Sequence, residues 1–252
     1  MTKTSLENGG TISRRIILKL DDLTCGGAMD GNPVSPRRQR IVDFIQQKGM
    51  KASFGIICWS LEEGTPAYFD WIKKWHDSGT IEMWFHGFRN KKDKHEPGEF
   101  DFGTAEEQRA IMEKSQRLAR EKLGFSLRAF GEHWSGTTEE TEKALQATPE
   151  IEIWLCGRKN SPHYKKSVIE KIMALEEGRF DINAEKVMAA YQALPASVET
   201  VILEGHPNAW VDERWENFTK VIAFLQAQGC VFITPSAWQE RSGRSPPLQK
   251  NG

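Results

Sequence analysis

Acidic and histidine side chains stand directly after several apolar runs of the sequence. The aspartate pair follows the run 15–20, and histidines follow the runs 81–85, 126–131 and 200–205. If these runs are parallel strands of one barrel, their carboxyl ends open on one face, where residues distant in sequence converge. Two carboxylates and three imidazoles on one face can form a metal site with acid–base groups beside it. The residues concerned are Asp21, Asp22, His86, His133 and His206.

The apolar runs alternate with amphipathic stretches, and no composition shift marks a domain boundary. Strands are predicted at 15–20, 51–57, 81–85, 126–131, 151–155, 198–203 and 230–234, with another around 179–182. Helices are predicted at 36–48, 66–78, 104–123, 138–147, 161–177, 183–194 and 212–228. Strands separated by helices of this length indicate a parallel sheet. We predict one α/β barrel domain at 14–240 between flexible ends 1–13 and 241–252, with an open doubly wound sheet as the alternative.

Charge and composition argue against several classes of function. The chain has 252 residues, 34 of them Lys or Arg and 35 Asp or Glu, and this balance gives no electrostatic footprint for nucleic acid. No apolar run reaches membrane-spanning length, and the first residues lack the apolar core of a signal peptide. The sequence as given predicts a cytoplasmic protein, or an exported one if an export signal has been removed. No feature specifies an oligomeric state.

The order of these short motifs resembles that of the polysaccharide deacetylases, the NodB-homology group of carbohydrate esterases. Leu20-Asp21-Asp22 is similar to their aspartate-pair motif, and His86-Gly87-Phe88-Arg89-Asn90 to their second motif. Phe130-Gly131-Glu132-His133 falls where their substrate-groove motif stands. The segments 201–207 and 229–235 resemble their catalytic-histidine motif and their final strand. The resemblance therefore covers nearly the whole chain.

The resemblance implies an incomplete seven- or eight-stranded (β/α) barrel that removes N-acetyl, or less often O-acetyl, groups from sugars. It implies a divalent metal, commonly zinc, with Asp22 and His86 as ligands, Asp21 as general base and His206 as general acid. The chemistry is coherent by itself. A divalent cation polarises an amide carbonyl and acidifies water, a carboxylate takes the water proton, and a histidine protonates the departing amine.

The sequence departs from the family at Asn90, which stands where a second metal histidine is expected. An amide oxygen is a weaker zinc ligand than imidazole. Three outcomes follow: Asn90 ligates weakly, His133 supplies the missing imidazole, or the site has lost its metal. The last outcome corresponds to a catalytically degenerate carbohydrate-binding protein, the alternative to a deacetylase. A different metal-dependent C–N hydrolase is a third possibility, because one fold hosts many functions.

Aromatic and basic residues beside these motifs are candidates for contact with a carbohydrate or small N-acylated substrate. Flat aromatic faces suit sugar rings, and indole N–H groups can bond hydroxyls, although packing at the barrel end is an equal alternative. Arg128 is a candidate partner of the base, as the family's third-motif arginine is. Each motif also has a purely structural interpretation. The aspartate pair could cap a loop, His86 could be a buried histidine that bonds to the backbone, and His206 with the proline after it could form a rigid end of a strand. The substrate candidates are Trp84, Trp134, Trp210 and Arg128.

Overall fold

A parallel β-sheet surrounded by helices organises the part of the chain that the computed structural model describes, residues 13–29, 32–89 and 95–242. In sheet order, seven of its strands are β6 (Ser167–Ile169), β5 (Ile153–Leu155), β4 (Ala129–Phe130), β3 (Ile81–Phe85), β2 (Ala52–Ile56), β1 (Arg15–Leu23) and β7 (Thr200–Gly205). The eighth, β8 (Val231–Phe232), pairs with the start of β1. Every strand pairing in this sheet is parallel.

Helices follow most of the strands and pack against the outside of the sheet. Their bounds are α1 (Pro36–Gln47), α2 (Ser60–Glu63), α3 (Pro66–Asp77), α4 (Ala105–Leu123), α5 (Glu139–Ala147), α6 (Ala184–Gln192), α7 (Asp212–Ala227) and α8 (Pro235–Ser242). The sheet is nearly closed, which confirms the predicted incomplete barrel. The described helices include none that is long and apolar enough to cross a bilayer.

The segment 161–177 is not the helix that its apolar spacing predicts. It contains β6, which pairs with β5 through Ser167–Ile153 and Ile169–Leu155, followed by irregular chain. Pairing with an existing strand and burial of Ile169 outweigh local helical preference here. The strand expected around 179–182 is also wrong, because only an isolated bridge between Glu177 and Asp181 forms there. The predicted ends 1–13 and 241–252 lie outside the described residues, except for Ser13, Arg241 and Ser242.

The interior of the barrel is filled around one tryptophan. Trp84 is fully buried and packs with Ile17, Ile153 and Ile202. Glycine on a neighbouring strand makes room for it, since a side-chain carbon at Gly55 would overlap the indole ring. The prediction that Trp84 contacts substrate is therefore corrected, because a fully buried ring offers no face to a sugar.

The segment 170–183 crosses the opening between β6 and β7, the two ends of the sheet path in the described part of the chain. Lys171 forms an ion pair with Glu204 on β7. Further along, Asp181 Oδ1 accepts a hydrogen bond from Arg214 Nε at 2.7 Å. Side-chain contacts thus bind the segment 170–183 to β7 and to α7, and they fix it beside the carboxyl end of β7.

Replacing Gly55 with alanine should lower the free energy of unfolding by about 1–3 kcal/mol, because the added carbon forces Trp84 out of place in a packed interior. Urea denaturation followed by tryptophan fluorescence measures the change. Gly26→Ala is the matched control, since its added carbon would lie 3.4 Å from Thr24 Oγ1, an ordinary contact. Equal stability of the two variants would contradict this account of the barrel interior.

Candidate metal centre and its acid–base pair

Three predicted ligands meet at the carboxyl ends of the strands. Asp22 is the second-last residue of β1, His86 follows β3 and His133 follows β4, and one ligand atom from each lies within 4.8 Å of the others. Asp22 Oδ1 is 3.4 Å from His86 Nε2 and 3.2 Å from His133 Nε2. Strand-end placement thus brings together side chains from three distant parts of the sequence. Asn90 lies outside the described residues, so its predicted role as a ligand stays a prediction.

The backbone of Asp22 lets both aspartates reach the same histidine. Neighbouring residues in a regular strand point to opposite faces. Asp22 has a left-handed backbone, with φ of 64°, and the pairing of β1 with β2 shifts register there. The buried Arg38 holds this turn, donating from Nη2 to the Asp22 carbonyl at 2.6 Å and from Nη1 to the Gly26 carbonyl at 2.7 Å. Asp21 Oδ2 consequently lies 3.5 Å from His86 Nε2, on the same side as Asp22.

A backbone carbonyl sets the orientation of His86. Its Nδ1 lies 2.7 Å from the Gly131 carbonyl oxygen, which can only accept, so Nδ1 carries the proton of this bond. In the neutral ring, the lone pair of Nε2 then points toward the two aspartates. His86 Nε2 and Asp22 Oδ1 are both buried, and neither has a hydrogen-bond partner among the described residues. The backbone therefore binds only one ring nitrogen of His86, Nδ1, and leaves Nε2 available.

This arrangement fits a divalent cation. Two acceptor atoms with lone pairs, Nε2 of His86 and Oδ1 of Asp22, are buried side by side, which is unfavourable unless a positive charge lies between them. A carboxylate and two imidazoles are a donor set used by catalytic zinc, which keeps a further position open for water. The bond from Nδ1 of His86 to a carbonyl is the outer contact that metal-binding histidines usually have.

Electrostatics favour the ionised form of Asp22. Burial raises its pKa, but contacts with His133 and His86 outweigh burial and hold the pKa well below its ordinary value. The lowered pKa favours the carboxylate form of Asp22, the form that binds a metal.

Asp21 is bound by a lysine on its own strand. The Nζ of Lys19 lies 2.9 and 2.7 Å from the two carboxylate oxygens of Asp21 and 2.5 Å from Glu204 Oε1. Lys19 is 1% exposed and Asp21 3% exposed. Burial raises the pKa of Asp21, while the charges of Lys19 and His86 oppose that rise. The carboxylate is thus held in one orientation beside the candidate metal ligands.

Arg128 does not have the role predicted for it. Its Nη2 pairs with Glu152 Oε2 at 2.8 Å, and its Nη1 bonds Ser236 at 3.3 Å. Arg128 precedes β4, at the amino end of the barrel, whereas Asp21 lies at the carboxyl end, so the two cannot pair. Lys19 takes the place expected for this arginine. The sequence contains a signal for this pair. Lys19 and Asp21 lie two residues apart on one strand, and such residues face the same side.

His206 is oriented by a glutamate from the segment 170–183. Its Nδ1 lies 2.6 Å from Glu176 Oε2, and its backbone N–H donates to Glu176 Oε1 at 2.8 Å. Its other nitrogen, Nε2, lies 3.8 Å from Asp21 Oδ2. Burial lowers the pKa of His206, but the bond to Glu176 and the charge of Asp21 outweigh burial and raise the pKa above its ordinary value. Sequence reasoning missed Glu176, because it was placed in a helix that does not form.

The remaining predicted substrate residues have different positions. Trp210 is fully buried, donates from Nε1 to Glu176 and stacks on Phe218, so its predicted contact with substrate is corrected to a packing role. Trp134 is 53% exposed and lies edge-on to His133, with ring centroids 5.4 Å apart. Of the three tryptophans, Trp134 alone presents a surface beside the site.

A cavity of about 470 Å³ opens at the mouth of the barrel, where Lys19, the partner of Asp21, contributes to its wall. Charged side chains of both signs lie around it. Its lining includes Lys19, Glu132, Trp154, Arg158, Lys171 and Glu204. Neither this cavity nor a larger one of about 1000 Å³ between α6 and α7 is lined by a predicted site residue from the described part of the chain.

Comparison with known proteins supports the fold rather than a particular activity. No family model and no curated protein matches the sequence. A family 4 acetyl xylan esterase from Clostridium thermocellum, solved with a cobalt ion, aligns over 92% of this chain and 93% of that chain, with a TM-score of 0.62 and 14% identity. A peptidoglycan N-acetylglucosamine deacetylase aligns over 90% and 89%, with a TM-score of 0.57 and 14% identity.

A family 4 pseudoenzyme from Bacillus anthracis is also similar, over 89% of this chain and 65% of that chain, with a TM-score of 0.57 and 14% identity. At identities this low, the structural similarity establishes the fold alone. The polysaccharide-deacetylase type of barrel that the sequence resemblance implied is therefore confirmed. Activity needs separate arguments, because this fold includes a pseudoenzyme.

The protein should bind about one zinc ion per chain, and His86→Ala should abolish that stoichiometric binding because it removes a ligand from the centre. Zinc loading, dialysis and elemental analysis measure the content. His76→Ala is the control, since His76 stacks on Phe125 at the amino end of the barrel. Full zinc occupancy in the His86 variant would place the metal elsewhere.

The imidazolium form of His206 should persist to higher pH than that of an ordinary histidine, because its pKa is raised. Glu176→Gln removes a negative charge beside the ring, so the titration midpoint should move to lower pH. An NMR titration of the His206 ring protons measures the midpoint in the metal-free protein. Glu177→Gln, which removes a neighbouring glutamate paired with Lys186, should leave it in place. Equal midpoints in all three proteins would contradict the assigned pairing.

Proposed function

We propose that this protein is a metal-dependent hydrolase that removes an acetyl group from an N-acetylated sugar or a related compound. The observation that carries the proposal is the convergence of Asp22, His86 and His133 at one barrel end, with Asp21 and His206 in contact beside them. A metal site with a carboxylate and a histidine on its border has the components that amide hydrolysis needs. The fold, which is that of family 4 esterases and deacetylases, supports the same class.

Asp22, His86 and His133 would hold the metal, and we propose zinc because imidazole and carboxylate ligands suit it. The similar acetyl xylan esterase was solved with a cobalt ion, which supports a divalent cation in a protein of this fold. When bound, such a cation polarises the acyl carbonyl and acidifies the attacking water.

Asp21 is the proposed general base. Its carboxylate lies beside the metal ligands, 3.5 Å from His86 Nε2, where an attacking water would be activated. Burial raises its pKa toward the range in which a base works best, while Lys19 fixes both oxygens. Proton transfer to Asp21 places a neutral carboxyl group beside Lys19, and the Lys19 ammonium then keeps Glu204 as its charged partner.

His206 is the proposed general acid. Glu176 binds its Nδ1, so its Nε2 is the nitrogen that can give a proton to the leaving amine. The pKa of His206 is raised above its ordinary value, which favours the protonated ring that the acid role requires. The Asp21 carboxylate, 3.8 Å away, stabilises this imidazolium before reaction.

A catalytically degenerate carbohydrate-binding protein is the second candidate. Asn90 replaces the second histidine of the family motif, and a similar solved structure is described as a family 4 pseudoenzyme. In this alternative, Trp134 and the cavity at the barrel mouth would bind a glycan without hydrolysis. Metal-dependent release of acetate separates the two candidates.

Asp21→Asn should reduce the deacetylation rate about 10²–10⁴-fold, the usual loss for an acid–base group, without loss of metal. His206→Ala should slow amide hydrolysis far more than hydrolysis of an activated ester, because a good leaving group needs little protonation. Acetate release from N-acetylated and O-acetylated sugars, with zinc, cobalt or manganese added, measures both effects.

Asp43→Asn and His163→Ala are the matched controls, since Asp43 lies on α1 and His163 faces Glu139. Both should retain the parent rate. Glycan binding without acetate release in any metal would favour the carbohydrate-binding candidate instead.

A further inference from the structure

An exposed aromatic ring lies against the proposed acid. Phe180 is 39% exposed, and its ring centroid lies 4.1 Å from that of His206, with 35° between the ring planes. The proposed acid–base chemistry assigns no role to this side chain. An exposed aromatic face beside the proposed acid is a surface on which a ring of a ligand can pack.

The backbone of Phe180 has an energetically unfavourable conformation. Its φ of 67° is in the left-handed region, which is unfavourable for a residue with a side chain. Contacts on both sides impose this conformation, from Glu176 to His206 and from Asp181 to Arg214. Strained residues persist where the surrounding structure fixes them, and they concentrate at functional sites. The ring is thus presented by a segment anchored to the catalytic histidine itself.

The position of the leaving group follows from the orientation of His206. Since Nδ1 is bound to Glu176, proton transfer must occur at Nε2, so the departing nitrogen lies within hydrogen-bond reach of Nε2. The ring that carries this nitrogen is then next to His206, and the exposed Phe180 ring, which lies against His206, is the aromatic surface available to it. Pyranose rings have a face of C–H groups, and an aromatic face packs well against such a surface.

Resting on the proposed function, we propose that Phe180 is a specificity-determining residue that stacks on the sugar ring bearing the acylamino group. The preferred leaving group is accordingly a cyclic amino sugar rather than an open-chain amine. Phe180 acts on binding of the leaving-group ring, whereas Glu176 acts on the proton of His206.

Steady-state kinetics of Phe180→Ala, with an N-acetylated hexosamine glycoside and an N-acetylated open-chain amine, test this assignment. For the cyclic substrate, KM should rise about three- to tenfold, the usual worth of an aromatic stacking contact, with kcat little changed. For the open-chain substrate, KM should stay constant. Phe180→Tyr, which keeps the aromatic face, should restore the parent KM.

Phe125→Ala is the matched control, because it removes a phenylalanine stacked on a histidine, His76, at the opposite end of the barrel. Its KM values should equal those of the parent protein. Equal changes for both substrates in Phe180→Ala, or a loss of kcat alone, would overturn the proposal and make Phe180 a positioning residue for His206.

Calorimetric titration with the free hexosamine glycoside and with the open-chain amine separates this proposal from the proposed function. Selective weakening of sugar binding in Phe180→Ala supports the stacking role even if the parent protein releases no acetate. Equal sugar affinity of the parent and variant proteins overturns it, whatever the activity.

Discussion

The candidate site depends on one departure from regular strand geometry, at the end of β1. Neighbouring strand residues normally face opposite sides, and this would send one of the two aspartates out of the barrel. The left-handed backbone of Asp22, with φ of 64°, turns both carboxylates toward His86. Arg38 holds the turn through the Asp22 carbonyl. Two adjacent residues can therefore divide the work, one as a metal ligand and the other as a base.

Charged side chains at the mouth of the barrel form a connected set. Lys19 joins Asp21 to Glu204, and Lys171 binds the other oxygen of Glu204. Removal of the buried Lys19 would leave the Asp21 carboxylate without a cationic partner in a poorly solvated interior, which is costly. The segment 170–183 brings Lys171, Glu176 and Phe180 to β7 together. The same segment therefore covers the opening between β6 and β7 and, through Glu176, orients His206.

Much of the architecture could be predicted from the sequence, because parallel strands buried on both faces give continuous apolar runs and helices give amphipathic ones. Strand ends marked by Asp21, Asp22, His86 and His206 could be found in this way, and their convergence follows from the parallel arrangement. The prediction was wrong at 161–177, where apolar spacing favours a helix and pairing with β5 produces β6. The local preference of this segment for a helix is weaker than strand pairing, and a short strand has little recognisable pattern in the sequence.

The sequence by itself determined which residue types end the strands, and hence the barrel, the metal-ligand candidates and the acid–base candidates. Tertiary structure decided the partners. Lys19 rather than Arg128 binds Asp21, Glu176 orients His206, and Trp84 and Trp210 are buried while Trp134 and Phe180 stay exposed. The physical reason is that strand periodicity fixes the face on which a side chain lies. Side-chain pairing across the barrel depends instead on where the connecting segments run, and no local pattern encodes their path.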